Sequence, residues 1–276
     1  MVVITGSTGG LGRQVCSMLA ELNAELVFID RNLEESEKHA QELISLHPNT
    51  KITHVVADLE NIESVKQATE KLKQLEKIDY LILNSGAYAI PRNTTSIGFD
   101  NVFQINFLSH YFMVKELLPL LRKTNGKVVA VSSIAHNYGK LDEADIDFKT
   151  RKKASKVYGN SKRFFTFALM KLFDNVTHAT LSIVHPGITF TNITNHYPKA
   201  VYALIKHPMK LIFISNKKAA LNVLKGMFTA TQNGCWIGPR ICNIWGYPSV
   251  KKLKTASEQE KQKIFEIAER LINHLK

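Results

Sequence analysis

Tyr158 and Lys162 stand four residues apart in YGNSK, so a helix through them carries both side chains on one face. A tyrosine with a free pKa of about 10 is a poor base at neutral pH. A neighbouring ammonium stabilises the phenolate and lowers that value, which suits proton exchange with an alcohol or carbonyl oxygen. Far upstream, TGSTGGLG (Thr5 to Gly12) joins an apolar β-type run to a helical pattern. Gly6, Gly10 and Gly12 allow a tight turn, close approach to a pyrophosphate and close helix–strand packing. The helix N-terminus adds free N–H groups and its positive end, so Gly6, Ser7, Thr8, Gly10, Leu11 and Gly12 form the expected dinucleotide cradle. Asp30 closes the second apolar run, where a carboxylate accepts hydrogen bonds from the adenosine ribose. Its charge repels a 2′-phosphate and favours NAD. Arg31, next in the chain, is the group that would hold that phosphate in NADP.

Elements must place these groups. Apolar β-rich runs at Val2–Thr5, Glu25–Asp30, Ile52–Ala57, Tyr80–Asn84, Val128–Ser133 and Thr180–His185 alternate with helical patterns near 11–22, 33–46, 61–76, 100–123 and 156–173. The runs are nearly continuous in apolar residues, as strands are when helices cover both faces. That order predicts an α/β fold, a doubly wound parallel sheet in a single domain. The tail from about 258 reads as an amphipathic helix with Ile264, Ile267, Leu271 and Ile272 on one side.

The chain has 276 residues, 45% hydrophobic and 22% charged, which excludes collagen-like, prion-like and largely disordered classes. Against 24 Asp+Glu stand 36 Lys+Arg, a net charge of +12. Residues 175–257 contain no acid and ten cations, so most of the excess belongs to one segment. Cys16, Cys235 and Cys242 form neither a disulfide framework nor a metal-ligand spacing, so no metal is expected. MVVITG runs straight into a strand without a cleavable leader, and no apolar run is long enough to span a bilayer. The expected location is the cytoplasm, with contact to a membrane surface left open.

With these motifs in order, the chain resembles the short-chain dehydrogenase/reductase family, of Rossmann type, and the likeness covers most of its length. Beyond the glycine loop and Tyr158-x-x-x-Lys162, Asp58 and Leu59 in VVADL resemble the family's adenine-contacting pair. Asn84-Ser85-Gly86 resembles its Asn-Ala-Gly motif, Asn106 its helix asparagine, and Ser133 its catalytic serine. Pro186, Gly187, Ile188 and Thr191 match the loop that holds the nicotinamide. The resemblance implies NAD or NADP as cofactor and hydride exchange with an alcohol or carbonyl substrate. Ser133 would bond the substrate oxygen, Tyr158 would move the proton and contact the cofactor, and Lys162 would lower the Tyr158 pKa and contact the ribose. Asn106 would hold a water linking Lys162 to solvent. Plainer readings stand beside these: Asp30 as a turn former, Ser133 as a strand-end cap, Lys162 as a surface lysine, Asn84 and Asn106 as structural. Two other functions stay open. A dinucleotide-binding regulator would not need all four catalytic residues, and a sugar-nucleotide epimerase is suggested by the alternative glycine spacing Gly6, Gly9, Gly12.

On this reading residues 1–130 are mainly the cofactor half and 131–276 the catalytic and substrate half, with a lid about 188–225. The stretch from Ser133 to Tyr158, RNLEE and VHPGITFTNI resemble the retinol-dehydrogenase-like subgroup, although Asp30 departs from its NADP-using members. Within 198–218, dense apolar residues accompany Lys199, Lys206, Lys210 and Lys217 on one helical stripe, a pattern suited either to an apolar lid or to an anionic membrane surface. No nucleic-acid motif accompanies the charge. Phe103, Leu117, Phe164, Phe165 and Leu169 serve either a homodimer interface or the core.

Overall fold

The computed structural model describes residues 1–188, 213–229, 235–253 and 256–275. In chain order these hold β1 (Val2–Thr5), α1 (Gly10–Glu21), β2 (Leu26–Asp30), α2 (Leu33–Leu46), β3 (Ile52–Val56), α3 (Ile62–Lys73) and β4 (Tyr80–Leu83). A long helical run follows: α4 (Asn101–Phe103), a π-helical turn (Gln104–Leu108) and α5 (Ser109–Lys123). Then come β5 (Lys127–Val131), a 3-10 turn (Ile134–Asn137), α6 (Ala154–Phe173), β6 (Thr180–Val184), α7 (Asn216–Phe228), β7 (Cys235–Ile241), β8 (Trp245–Lys251) and α8 (Glu258–Asn273).

Among the described residues the strands form one sheet, in the order β3-β2-β1-β4-β5-β6-β7-β8. β1 to β7 run parallel, and β8 returns antiparallel at the edge. The first six strands have the 3-2-1-4-5-6 order of a dinucleotide-binding sheet, which leaves a crevice beside β1 and β4 at the strands' carboxyl ends. Side-chain caps start most of the helices: Asn32 accepts from Glu35 N–H, Asn61 from Glu63 N–H, Ser215 from Lys218 N–H and Ser257 from Glu260 N–H.

Two cores flank the sheet. On one face α3, α5, α6 and α8 bury Phe103, Phe107, Tyr111, Phe164, Phe165 and Ile264. On the other, α1, α2 and α7 bury Val15, Leu19, Ala40 and Val223. Gly226 lets α7 lie close on the sheet, since a Cβ there would meet Val184 Cγ2 at 2.6 Å.

Three expectations need correction or limits. The apolar runs and helical patterns of the sequence leave out α7, β7 and β8. Phe103, Leu117, Phe164, Phe165 and Leu169 are fully buried within one chain, so they are core and offer no surface to a second copy. The lid expected about 188–225 lies mostly outside the described residues; its final part belongs to α7, which buries Ala219, Ala220 and Val223 against α1 and the sheet. Thr191 and most of 198–218 lie outside the described residues.

Candidate active site

The glycine loop turns through Gly6, whose φ of +71° lies in the left-handed region. A Cβ on Gly12 would sit 2.0 Å from the Gly6 carbonyl oxygen, so α1 starts against its own loop. Gly9, the residue before α1, caps no N–H with a side chain, and the first turn carries no acid. The helix therefore offers unfilled N–H donors to an anion, and the cradle fits a dinucleotide pyrophosphate. Asn84 clamps the loop by donating its side-chain N–H groups to the carbonyls of Thr5 (3.1 Å) and Gly6 (2.9 Å). Thr5 Oγ1 accepts the backbone N–H groups of Asn84 and Ser85, both at 3.0 Å. Its own hydroxyl proton then points to His110 Nε2, 3.1 Å away, and burial lowers the His110 pKa to about 3.

Asp30 is buried and faces the loop. Its Oδ2 accepts the hydroxyls of Ser7 (2.5 Å) and Ser36 (2.9 Å), whereas Oδ1 has only long contacts of 3.4 Å from Thr8. One carboxylate oxygen thus fixes the loop and the other keeps capacity for a ribose hydroxyl. Arg31 is exposed directly beside it. Asp58 Oδ1 accepts from Glu60 N–H at 3.0 Å, and the Leu59 carbonyl from Ser109 Oγ at 2.6 Å. Leu11 is buried in the core under the loop.

Ser133 follows β5, and Tyr158 and Lys162 lie in α6. Ser133 Oγ accepts Ala135 N–H at 3.2 Å, and Ser133 acts on the Tyr158 hydroxyl to lower its pKa. Lys162 Nζ is buried, 2.8 Å from the Val131 carbonyl and 5.9 Å from the centre of the Tyr158 ring. Gly86 adjoins both Lys162 and Asn106: a Cβ there would be 3.6 Å from Lys162 Nζ and 3.1 Å from Asn106 Oδ1. Asn106 sits in the π-helical turn and braces the site. It accepts Ala87 N–H at 2.7 Å and donates to the Ala87 carbonyl and Ser161 Oγ, each at 2.9 Å. A π-turn displaces the helix ladder locally, which lets this one residue join the loop after β4 to α6.

Burial dominates the electrostatics of the Tyr158 and Lys162 pair. Burial pushes the Tyr158 hydroxyl up to about 12, against the lowering influence of Ser133. Lys162, itself buried, falls to about 7. The ammonium is as much desolvated as the phenol, so without cofactor Tyr158 keeps its proton.

Pro186, Gly187 and Ile188 leave β6 toward the cradle. Gly187 has a φ of +92°, and a Cβ on it would strike Ile214 Cδ1 at 2.6 Å. The Ile188 carbonyl accepts Ile214 N–H at 2.8 Å, which ties this loop to the start of α7.

Several supporting residues escape sequence reading. Tyr88 meets the Tyr158 ring edge-on with centroids 5.1 Å apart. His136 Nδ1 lies 2.6 Å from the Ser133 carbonyl, which can only accept, so Nδ1 donates. Arg163, adjacent to Lys162, donates to the His136 carbonyl at 2.9 Å and grips Glu260 of α8 with two bonds of 2.8 and 2.6 Å. Glu260 also accepts Leu141 N–H at 3.1 Å. Within the loop before α6, Asp142 and Asp145 pair locally with Arg151, whereas Glu143 pairs with Lys263 of α8, 120 residues away. Distant partners such as Glu260, nearly a hundred residues from Arg163, leave no local trace in the sequence.

The chain is similar to known proteins in sequence and in fold. The chain is 29% identical over 201 residues to human retinol dehydrogenase 13, covering 71% of this chain and 60% of that protein. It is 31% identical over 201 residues to mouse retinol dehydrogenase 12, covering 71% and 63%. The chain thus spans about 60% of the length of these relatives. A crystal structure of an uncharacterized Mycobacterium paratuberculosis protein superposes with a TM-score of 0.80 at 22% identity, covering 99% of this chain and 92% of that one. The Pseudomonas aeruginosa RhlG/NADP active-site complex does so with a TM-score of 0.65 at 22% identity, covering 84% and 92%. These likenesses fix the fold as that of Rossmann-type dehydrogenases. Residues 1–201 match the short chain dehydrogenase family, and the chain belongs to it.

Proposed function

We propose that the chain is an NAD(P)-dependent oxidoreductase that exchanges hydride with a lipophilic alcohol or carbonyl compound. One observation carries this reading: buried Lys162 lies 5.9 Å from the centre of the Tyr158 ring and is held by the Val131 carbonyl at the end of β5, at the sheet edge that holds the glycine cradle. When bound, the nicotinamide supplies or takes up the hydride. Gly6 to Gly12 would receive the pyrophosphate, and Pro186 to Ile188 would flank the nicotinamide. Ser133 Oγ would bond the substrate oxygen and stabilise charge developing there. Tyr158, protonated at neutral pH, would give its proton to a carbonyl oxygen or, in reverse, take one from an alcohol. Lys162 would stabilise the phenolate left behind, and Asn106 would hold the loop after β4 against α6.

Asp30 supports NAD over NADP, because its buried carboxylate faces the place where a 2′-phosphate would sit. The retinol dehydrogenases among the relatives support a lipophilic substrate, and the acid-free segment with the 198–218 stretch supports membrane proximity. Three free cysteines suit a cytoplasmic setting. We keep the division into a cofactor half and a catalytic half of a single domain.

The decisive experiment follows NAD(H) and NADP(H) absorbance against a panel of retinoid, steroid, prenyl and sugar carbonyls and alcohols. Turnover of hydrophobic substrates with NAD(H) is expected. Turnover confined to small polar sugars would overturn the substrate class, and cofactor binding with no turnover at all would favour a regulator.

A further inference from the structure

β7 does not stop where its parallel neighbour stops. The last β6–β7 pair is Val184 with Ile237, and β7 runs on to Ile241 before the chain turns into β8. At about 3.3 Å per residue the hairpin reaches roughly 13 Å beyond the end of β6. It projects from the same sheet edge as Ser133 and Gly187, and a Cβ on Gly187 would lie 3.2 Å from Pro239 Cγ within β7.

The hairpin carries side chains that a globular surface seldom shows together. Tyr247 is 83% exposed, Ile241 55% and Trp245 39%, and Ile241 pairs directly across from Trp245. The turn beneath them is pinned. Lys251 Nζ donates to the Pro239 carbonyl at 2.9 Å and to Asn243 Oδ1 at 2.8 Å, and Trp236 Nε1 donates to Asn243 Oδ1 at 3.3 Å.

The charge around the hairpin has one sign. Arg240 is exposed on β7, and Lys217 and Lys218 are exposed in the first turn of α7. That turn lies at the same edge, since Asn216 reaches to within 2.8 Å of where a Gly10 Cβ would be. No acid occurs from 175 to 257. The acids of the loop before α6 are already occupied, Asp142 and Asp145 by Arg151 and Glu143 by Lys263.

We propose that the β7–β8 hairpin seats the protein on an anionic lipid bilayer. Ile241, Trp245 and Tyr247 enter the interfacial layer, and Arg240, Lys217 and Lys218 meet the headgroups. Indole and phenol rings favour that layer because one end is apolar and the other polar. Neighbouring cations add attraction to anionic lipid within a Debye length. A second copy is a poorer occupant, because two such surfaces carry like charge. The proposal rests on the lipophilic-substrate reading for its purpose, since it sets the substrate cleft against the bilayer. Vesicle binding, however, is measured without turnover, so the two stand or fall separately.

The test is co-sedimentation of the full chain with phosphatidylcholine vesicles, with and without phosphatidylglycerol, at two salt concentrations, alongside tryptophan emission. Binding is expected only to the anionic vesicles, weakening with salt, with a blue shift that Trp245→Phe removes. The double variant Ile241→Ser, Tyr247→Ser should bind about tenfold more weakly, with unchanged circular dichroism and cofactor affinity. Lys217→Glu with Lys218→Glu should also weaken binding while leaving the fold intact. Wild-type protein remaining in the supernatant would overturn the proposal. So would anionic binding that the hairpin variants leave unchanged, since docking would then lie elsewhere in the chain. A dimer in sedimentation equilibrium that the double variant dissolves would assign the surface to a second copy instead.

Discussion

On the cofactor side of the sheet edge, the parts are joined mainly by short hydrogen bonds among hydroxyls, amides and one carboxylate. Asn84 and Thr5 tie β4 to the glycine loop, and Asp30 holds Ser7 and Ser36. On the catalytic side, full charges make the ties. Arg163 binds Glu260 across the α6–α8 interface, Lys162 lies buried under Tyr158, and Lys115 joins Tyr111 on Glu269 of α8. Hydroxyl networks tolerate the approach of an anionic ligand without competing for it. Buried charges order a catalytic helix strongly, but removing one partner strands the other. The cofactor side is therefore built to receive, and the catalytic side to hold fixed.

If that contrast is right, the largest change comes from the catalytic side. Tyr158→Phe should lower turnover by about a thousandfold or more while cofactor affinity, read by fluorescence titration, stays nearly constant. Turnover retained in that variant would remove Tyr158 from the mechanism. Glu260→Ala should cost about 3–5 kcal/mol in denaturant unfolding, because it leaves the Arg163 guanidinium buried without its anion. Glu260→Gln, whose one carbonyl oxygen keeps a single hydrogen bond from Arg163, should cost less, and equal losses would mean that packing rather than charge holds α8.

Lys162→Met should do opposite things to activity and stability. Burial sets the folded pKa near 7, below the 10.5 of a free lysine. Between those values the folded chain binds fewer protons than the unfolded one, so stability rises with pH across that window. At pH 7 and below, the buried amine opposes folding, and its removal should stabilise by on the order of 1–3 kcal/mol while turnover falls. Thermal melts of wild type and variant from pH 6 to 10 check this, and a variant that melts lower at pH 7 would refute it. The smallest effect belongs to the receiving side. Asp30→Ser removes the charge beside Arg31 and the acceptor of Ser7 and Ser36, and should move the NADP to NAD preference by about tenfold with some loss of stability and the turnover number kept.

The same contrast explains what the sequence could say. The glycine loop, Asp30 and Tyr158-x-x-x-Lys162 are legible because each is a short string at the end of an apolar run, and the strands β1 to β6 are such runs. β7 and β8 hide because Gly238, Pro239, Gly246 and Pro248 interrupt them; Pro248 is tolerated because β8 is the edge strand, and Pro239 because β7 has by then run past its last pair with β6 at Ile237. Arg163 reads as one more surface charge on a helix, since its partner arrives from a distant segment. That Asp30 serves its own loop through Ser36 as well as Ser7 is likewise a fact of folding, with no spacing rule behind it. The π-helical turn at Asn106 looks in sequence like uninterrupted helix.

The bond between Arg163 and Glu260 also sets an order of events during synthesis. A ribosome releases α6, with Tyr158, Lys162 and Arg163, well before residue 260 leaves the exit tunnel. Until then the nascent catalytic helix has a guanidinium destined for the interior and no carboxylate to meet it, and the aromatic face of α6 lacks its cover of Ile264, Ile267 and Ile272. The cofactor half needs α5 over Val3 and Leu81 and α7 over Ile4 and Val15. The catalytic half waits longer, for α8.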